Sequence, residues 1–304
     1  MTRSNPTISF DPVIQVCFAV DKFTEQCGYV AVHSMLKHAS APVSVMILYD
    51  SREKLPGADW SRKLKGFGFD FELRHQMVDV TAFRHCKDFF NSYTNYLRVY
   101  APDYAESDRI IYSDVDVVFT ADIADLHSLN IGRAMIALPG GVACGTRGEK
   151  EKPALRAYGK NDKDLYFGSG LAVINVAAYL QAAKLQACKD VASRFGPSLI
   201  YHEQTIWNCV FHSNEIFRLD EMWCQSPPLK KSETCKPFLP GIVHYAGSPK
   251  PWDLLGEYFH HSYKIWRDAA ISAGMKNQTV TKYFDVCTLQ RAVRIKNQYR
   301  VWLQ

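Results

Sequence analysis

Apolar and polar positions along this chain come in blocks of two lengths. VIQVCFAV, residues 13–20, is mostly apolar over the length of a strand and stops at Asp21, the pattern of a strand covered on both sides in a parallel sheet. Tyr29, Val32, Met35 and Leu36 then recur at helical spacing, and VSVMILY, residues 43–49, supplies a second β-branched strand, so the opening reads as a β-α-β unit. The rhythm continues with a polar helix at 60–65, a strand at 69–78, an aromatic helix at 93–104 and a strand at 110–113. Alternation of this kind predicts an α/β protein with an open, doubly wound sheet. Ligands of such sheets collect beyond the carboxyl ends of the strands, so Asp21, Asp50 and Asp114, each just after an apolar run, are expected to crowd one crevice.

Residues 139–170 break the rhythm with Gly140, Gly141, Gly145, Gly148 and the charged run EKEK, which predicts a mobile lid or acceptor loop. LAVINV, residues 171–176, returns as a strand; 177–195 reads as a helix and 203–211 as a short buried one. A second irregular stretch, 226–240, precedes the apolar strand GIVHYA. From Glu257 the chain is helical, basic and aromatic, with Lys264, Trp266, Arg267, Lys282, Tyr283, Arg291, Arg294, Lys296, Tyr299, Arg300 and Trp302. The expected division is therefore one domain over 1–255 and a C-terminal helical extension over 256–304.

Composition narrows the class. With 47% hydrophobic and 22% charged residues the 304-residue chain can fill a large core and is not disordered. A net charge of +5 falls short of the clustered excess of a nucleic-acid binder, so no nucleic-acid partner is expected. The nine cysteines are scattered without a CxxC pair and read as reduced core thiols, which together with the absence of an apolar leader points to the cytoplasm. No apolar run approaches the roughly 20 residues of a membrane span, although the basic, aromatic extension suits peripheral contact with the anionic inner face of the cytoplasmic membrane.

The sharpest chemical signal is RIIYSDVDVVF, where strand alternation would place Asp114 and Asp116 on one face and Val115 on the other. Two carboxylates about 5 Å apart repel by on the order of 3 kcal/mol at an effective dielectric near 20, and a divalent cation reverses the sign. The second signal is HYAGSPKPW, residues 244–252. His244 would complete a two-aspartate, one-histidine set, whose mixed oxygen and nitrogen donors suit Mn2+ better than Mg2+. Gly247 would let backbone approach a phosphate and Lys250 would supply a compact charge for it.

At this point the chain resembles the family-8 glycosyltransferases, among them bacterial lipooligosaccharide galactosyl- and glucosyltransferases and glycogenin. The likeness runs from about Val13 to Trp252 through FAVD at 18–21, Arg98 in NYLRVYAP, Asp114-Val115-Asp116, FGSG at 167–170, EQTIWN at 203–208 and HxxGxxKPW at 244–252. The resemblance implies a GT-A type fold, a Rossmann-like, mostly parallel twisted sheet with helices on both faces. It implies a retaining transferase that uses Mn2+, or else Mg2+, and a UDP-hexose donor, with a saccharide or lipid-linked saccharide as acceptor. Carried over, Asp114, Asp116 and His244 would ligate the metal; Ala19 and Asp21 would meet uracil and ribose; Asp114 and Val115 would lie on the ribose side; Gly247 and Lys250 would hold the diphosphate. Arg98 would hold the sugar or a phosphate, and Glu203 and Gln204 would face the donor sugar, Gln204 beneath its anomeric carbon.

The chain departs from the family pattern in three places. Lys22 and Phe23 replace a polar residue and an asparagine, Gly168 lacks an amide that normally touches the sugar, and Pro139-Gly140 stands where an acidic residue often occurs. Two other readings fit parts of the sequence. DVDVV also matches the nucleophile motif of haloacid-dehalogenase-type phosphatases, although here some 100 residues precede it and HxxGxxKPW stays unexplained. A nucleotide-sugar or glycan binder that lost turnover is the other.

Overall fold

The structure, a computed structural model, describes residues 13–89, 91–227, 237–253, 256–275, 293 and 296. Five elements open the chain: strand β1 (Ile14–Ala19), helix α1 (Glu25–His38), strand β2 (Val43–Asp50), helix α2 (Trp60–Lys65) and strand β3 (Phe71–Val78). Strands β4 (Arg109–Ser113) and β5 (Val117–Phe119), helix α3 (Ile123–His127), strand β6 (Ile136–Pro139) and strand β7 (Val142–Ala143) follow. The second half holds helix α4 (Lys152–Ala157), strands β8 (Leu165–Tyr166) and β9 (Leu171–Asn175), and helices α5 (Val176–Gln181), α6 (Lys184–Phe195) and α7 (His202–Val210). Strands β10 (Ile216–Leu219) and β11 (Ile242–His244) and helices α8 (Gly256–Phe259) and α9 (Tyr263–Ser272) complete it.

The main sheet has seven strands in the order β10-β6-β9-β4-β1-β2-β3, and β9 alone runs antiparallel to its neighbours. β1 lies inside it and explains its own apolar run. Ile14, Val16 and Phe18 enter one core with α1 and Trp60, while Cys17 and Ala19 enter a second core with Tyr96, Tyr112 and Trp207. Both faces of the strand are buried, and its one polar side chain, Gln15, is satisfied there by accepting from the Glu106 amide and the Ser107 hydroxyl. β5 leaves this sheet and pairs antiparallel with β11, His244 opposite Val117, and this small ribbon lies against α1, where Ser34 Oγ accepts the Phe119 amide at 3.1 Å.

The fold class is as expected, and several elements differ in detail. The aromatic segment is a run of 3-10 turns over Thr94–Tyr104 rather than an α-helix, and it contains Pro102, which has no amide to donate. The single helix expected at 177–195 is two, α5 and α6, because Ala183 takes the left-handed conformation (φ 49°) and turns the chain between them. Residues 139–170, expected to be a lid or acceptor loop, carry secondary structure: β7 pairs with β8, α4 packs on α7, and buried Glu151 accepts the amides of Ile200 and Tyr201 through Oε1. Of the C-terminal extension, α9 packs on the main body. Trp266 is 2% exposed, 5.5 Å from the Trp252 ring, so it is withdrawn from the basic, aromatic surface on which the membrane expectation rested. The remaining positions of that surface, apart from Lys264, Arg267 and Lys296, lie outside the described residues. Among the described residues no helix is long and apolar enough to cross a membrane.

Candidate active site

Asp114, Val115 and Asp116 form the bend between β4 and β5, past the end of strand pairing, so alternation is not what separates them. The bend still does so because Val115 is apolar: it is 8% exposed and sits in the core against Gly28, which leaves the two carboxylates on the open side. His244 arrives from the end of β11, held in register by the ribbon with β5. Asp114, Asp116 and His244 each present a ligand atom, all within 4.8 Å of one another, and among the described residues no other such cluster occurs. His244 Nε2 faces the pair, 3.2 Å from Asp116 Oδ1 and 3.8 Å from Asp114 Oδ2.

Each member of the trio has further partners that fix it. Asp114 Oδ1 accepts from Arg98 Nη2 at 2.8 Å and from the Tyr112 hydroxyl at 3.0 Å, and the Asp114 amide donates to Gly170 O at 2.7 Å. Asp116 Oδ2 takes the Lys250 ammonium, which also donates to Tyr245 O. Burial alone would raise the Asp116 carboxyl, but Lys250 and His244 outweigh it and hold it far below the usual carboxylate range. Burial likewise disfavours charge on His244, yet Asp116 and Cys224 overcome it and raise the imidazole well above its ordinary value. His244 and Lys250 thus stand against the two carboxylates, on the side where a cation would compete with them.

The other residues named from the sequence have these surroundings. Arg98, 5% exposed, spends its guanidinium on Asn95 O, Ser169 O and Oγ, Asp114 and Glu203, so it braces the acidic groups instead of reaching outward. Burial raises the Glu203 carboxyl, against the pull of Arg98, and Asn95 Nδ2 donates to it at 2.5 Å. Gln204, one residue on, is half-buried in the first turn of α7. Asp21 is also occupied: its two oxygens accept from Phe23, Thr24, Ser92 and Thr94, which starts α1. Ala19 ends β1 and is 4% exposed. Asp50 pairs with Arg84, so neither it nor Asp21 joins the cluster that Asp114 forms. Gly247 has φ +81°, and a Cβ there would meet nothing within 4 Å.

Three residues of the quoted motifs and one outside them matter more than the sequence suggested. Ser169 holds Arg98. Gly170 is needed for room: a Cβ there would lie 2.5 Å from His244 Cε1 and 2.9 Å from Asp114 Oδ2. Asn208, four residues after Gln204, clamps the FGSG segment, accepting the Phe167 amide and donating to Phe167 O. Cys224, expected in the core, is half-buried with Sγ 3.3 Å from His244 Nδ1; no sequence pattern marks it.

Comparison with known proteins agrees with this geometry. The sequence profile of glycosyl transferase family 8 matches residues 17–256. General stress protein A of Bacillus subtilis is 25% identical over 225 residues, 66% of this chain and 75% of that protein. The probable galacturonosyltransferase-like 7 of Arabidopsis thaliana is 25% identical over 263 residues, 79% of this chain and 70% of its own. A crystal structure of the galactosyltransferase LgtC with donor and acceptor sugar analogs superposes at TM-score 0.70 over 85% of this chain and 96% of that one, at 20% identity, a likeness of fold. With the profile spanning most of its length, this chain belongs to glycosyl transferase family 8 and is a glycosyltransferase of mostly parallel α/β architecture.

Proposed function

We propose that the protein is a retaining hexosyltransferase that takes glucose or galactose from a UDP-sugar and delivers it to a saccharide or lipid-linked saccharide, with Mn2+ as working cation and Mg2+ as second choice. The observation that carries this reading is the convergence of Asp114, Asp116 and His244 Nε2 beside Lys250. The donor set fits the cation. Two carboxylates and an imidazole suit Mn2+, and the second imidazole nitrogen is already engaged by Cys224, which leaves Nε2 to ligate. Bound by Asp114, Asp116 and His244, the cation would supply charge neutralisation for the pyrophosphate as UDP departs.

The chain's own groups divide the remaining work. Lys250 carries an ammonium that a diphosphate would draw away from Asp116, and the open backbone at Gly247 gives a phosphate room to approach. Arg98 keeps Asp114 and Glu203 in place. Glu203 is committed to Asn95, Arg98 and Ser169, and the Gln204 amide is a poor nucleophile, so neither of the two residues expected to face the donor sugar suits a double displacement. The reading therefore takes front-side attack by the acceptor hydroxyl through a loosely bonded, oxocarbenium-like state. A trapped glycosyl adduct on Gln204 or Glu203 would overturn that choice.

The test is incubation with UDP-glucose or UDP-galactose and Mn2+. A transferase releases UDP slowly by hydrolysis and Asp116→Ala abolishes the release. No release by the native chain would leave a binder only, and unimpaired release by the variant would refute the metal assignment.

A further inference from the structure

A histidine can ligate a metal through Nε2 only when that nitrogen is bare and aimed, and both conditions are set at the other nitrogen. In metal sites the other N–H is ordinarily donated to a carboxylate, a backbone carbonyl or water. Here the group within hydrogen-bonding reach of His244 Nδ1 is a thiol, Cys224 Sγ at 3.3 Å, an ordinary N–H···S separation. Cys224 stands at the end of a 3-10 turn, Glu221–Cys224, and the next residue, Gln225, is bonded into β11 through its amide to Ile242 O and by accepting the His244 amide at 2.8 Å. The thiol and the imidazole are thus fixed by the same backbone. On its other side the ring is bounded by Gly170, whose missing Cβ would lie 2.5 Å from Cε1. The Cε1–Nδ1 edge of the imidazole is thus confined by Gly170 and the sulfur, and Nε2 faces Asp116 and Asp114.

We infer that Cys224 is the positioning residue of the cation site: by accepting the Nδ1 proton of His244 it keeps that proton on Nδ1 when a cation takes Nε2, and it holds the ring plane toward the two aspartates. The inference rests on the glycosyltransferase reading above, because it assumes that the trio takes a divalent cation. The thiol touches neither cation nor sugar. Its effect is on cation affinity, and through it on the concentration of cation needed for turnover, while the rate at saturating cation is left to the groups that face the donor.

The test is a titration with Mn2+, followed by the loss of the free-ion electron paramagnetic resonance signal, on the native chain, Cys224→Ala and Cys224→Ser. Alanine removes the acceptor and weakens Mn2+ binding by about 10- to 100-fold, the usual cost of deleting a partner behind a metal ligand. Serine restores an acceptor on a shorter arm and recovers a large part of it. In UDP release the alanine variant raises the Mn2+ concentration for half-maximal rate and leaves the maximal rate within about twofold. Alanine and native chains with the same Mn2+ affinity would overturn the inference and leave the function intact. A serine variant as weak as alanine would also overturn it, since the loss would then be one of packing. A native chain that binds no Mn2+ would remove the function reading and this inference together.

Discussion

Adding one methyl group at Gly170 tests the site at its tightest point. The backbone there is not in the left-handed region, so Gly170→Ala strains no dihedral; the whole effect is steric. The new carbon would lie 2.5 Å from His244 Cε1, 3.0 Å from Nδ1 and 2.9 Å from Asp114 Oδ2. Non-bonded carbons settle at about 3.5 to 4.0 Å, so the imidazole must retreat by about 1 Å. Metal–ligand distances are tolerated within about 0.2 Å, and a retreat of that size removes His244 from the set. The loss expected is about 100-fold in Mn2+ affinity, or about 3 kcal/mol. Stability suffers less: overpacking costs about 1–3 kcal/mol, a Tm decrease of a few degrees in a chain of this size. Paired Mn2+ titration and circular-dichroism melting separate the two effects. A Gly170→Ala protein that melts near the native temperature and binds Mn2+ within twofold of the native chain would refute the argument that this glycine exists to leave room for the trio.

Two further predictions follow from charge placement. Lys250→Met frees Asp116 from its ammonium, so Mn2+ alone should bind more tightly, by about fivefold for a pair worth about 1 kcal/mol, while UDP binds more weakly for lack of that charge. Calorimetric titrations in which the two affinities move together would count against the exchange of partners. His33 is buried edge-on against Phe67 and Phe69, its ring nitrogens have no hydrogen-bond partner among the described residues, and burial, helped by Lys37, lowers its pKa from 6.5 to about 4. The unfolded chain therefore takes up the proton first: this contribution to stability is whole above about pH 6.5 and is lost as pH falls toward 4, by up to about 3 kcal/mol. Urea melts of His33→Phe should lack that share of the acid dependence, and parallel curves for the two proteins would contradict it.

Much of this molecule is legible in its order of residues, for a physical reason. A strand buried on both faces is mostly apolar, so β1 and β2 announce themselves, and Asp21, Asp50 and Asp114 mark where each run stops. The acidic couplet and the HxxGxxKPW segment are local patterns, and their residue types alone suggest a cation and a phosphate. What a single stretch cannot encode is who spends whose hydrogen bonds. Arg98, Glu203, Ser169 and Asp114 come from four separate segments, and only their packing shows the arginine turned inward as a brace. Asp21 and Asp50 look equivalent to Asp114 in sequence, yet Ser92, Thr94 and Arg84 consume the first two and leave the third to its cluster. The division at Ala183 and the burial of Trp266 have the same origin, since local propensity permits a longer helix and an exposed tail and tertiary contact selects otherwise. Gly170 and Cys224 show the limit most plainly: one is defined by the space it leaves and the other by the nitrogen it faces, and both properties arise only when β11 is laid beside β5.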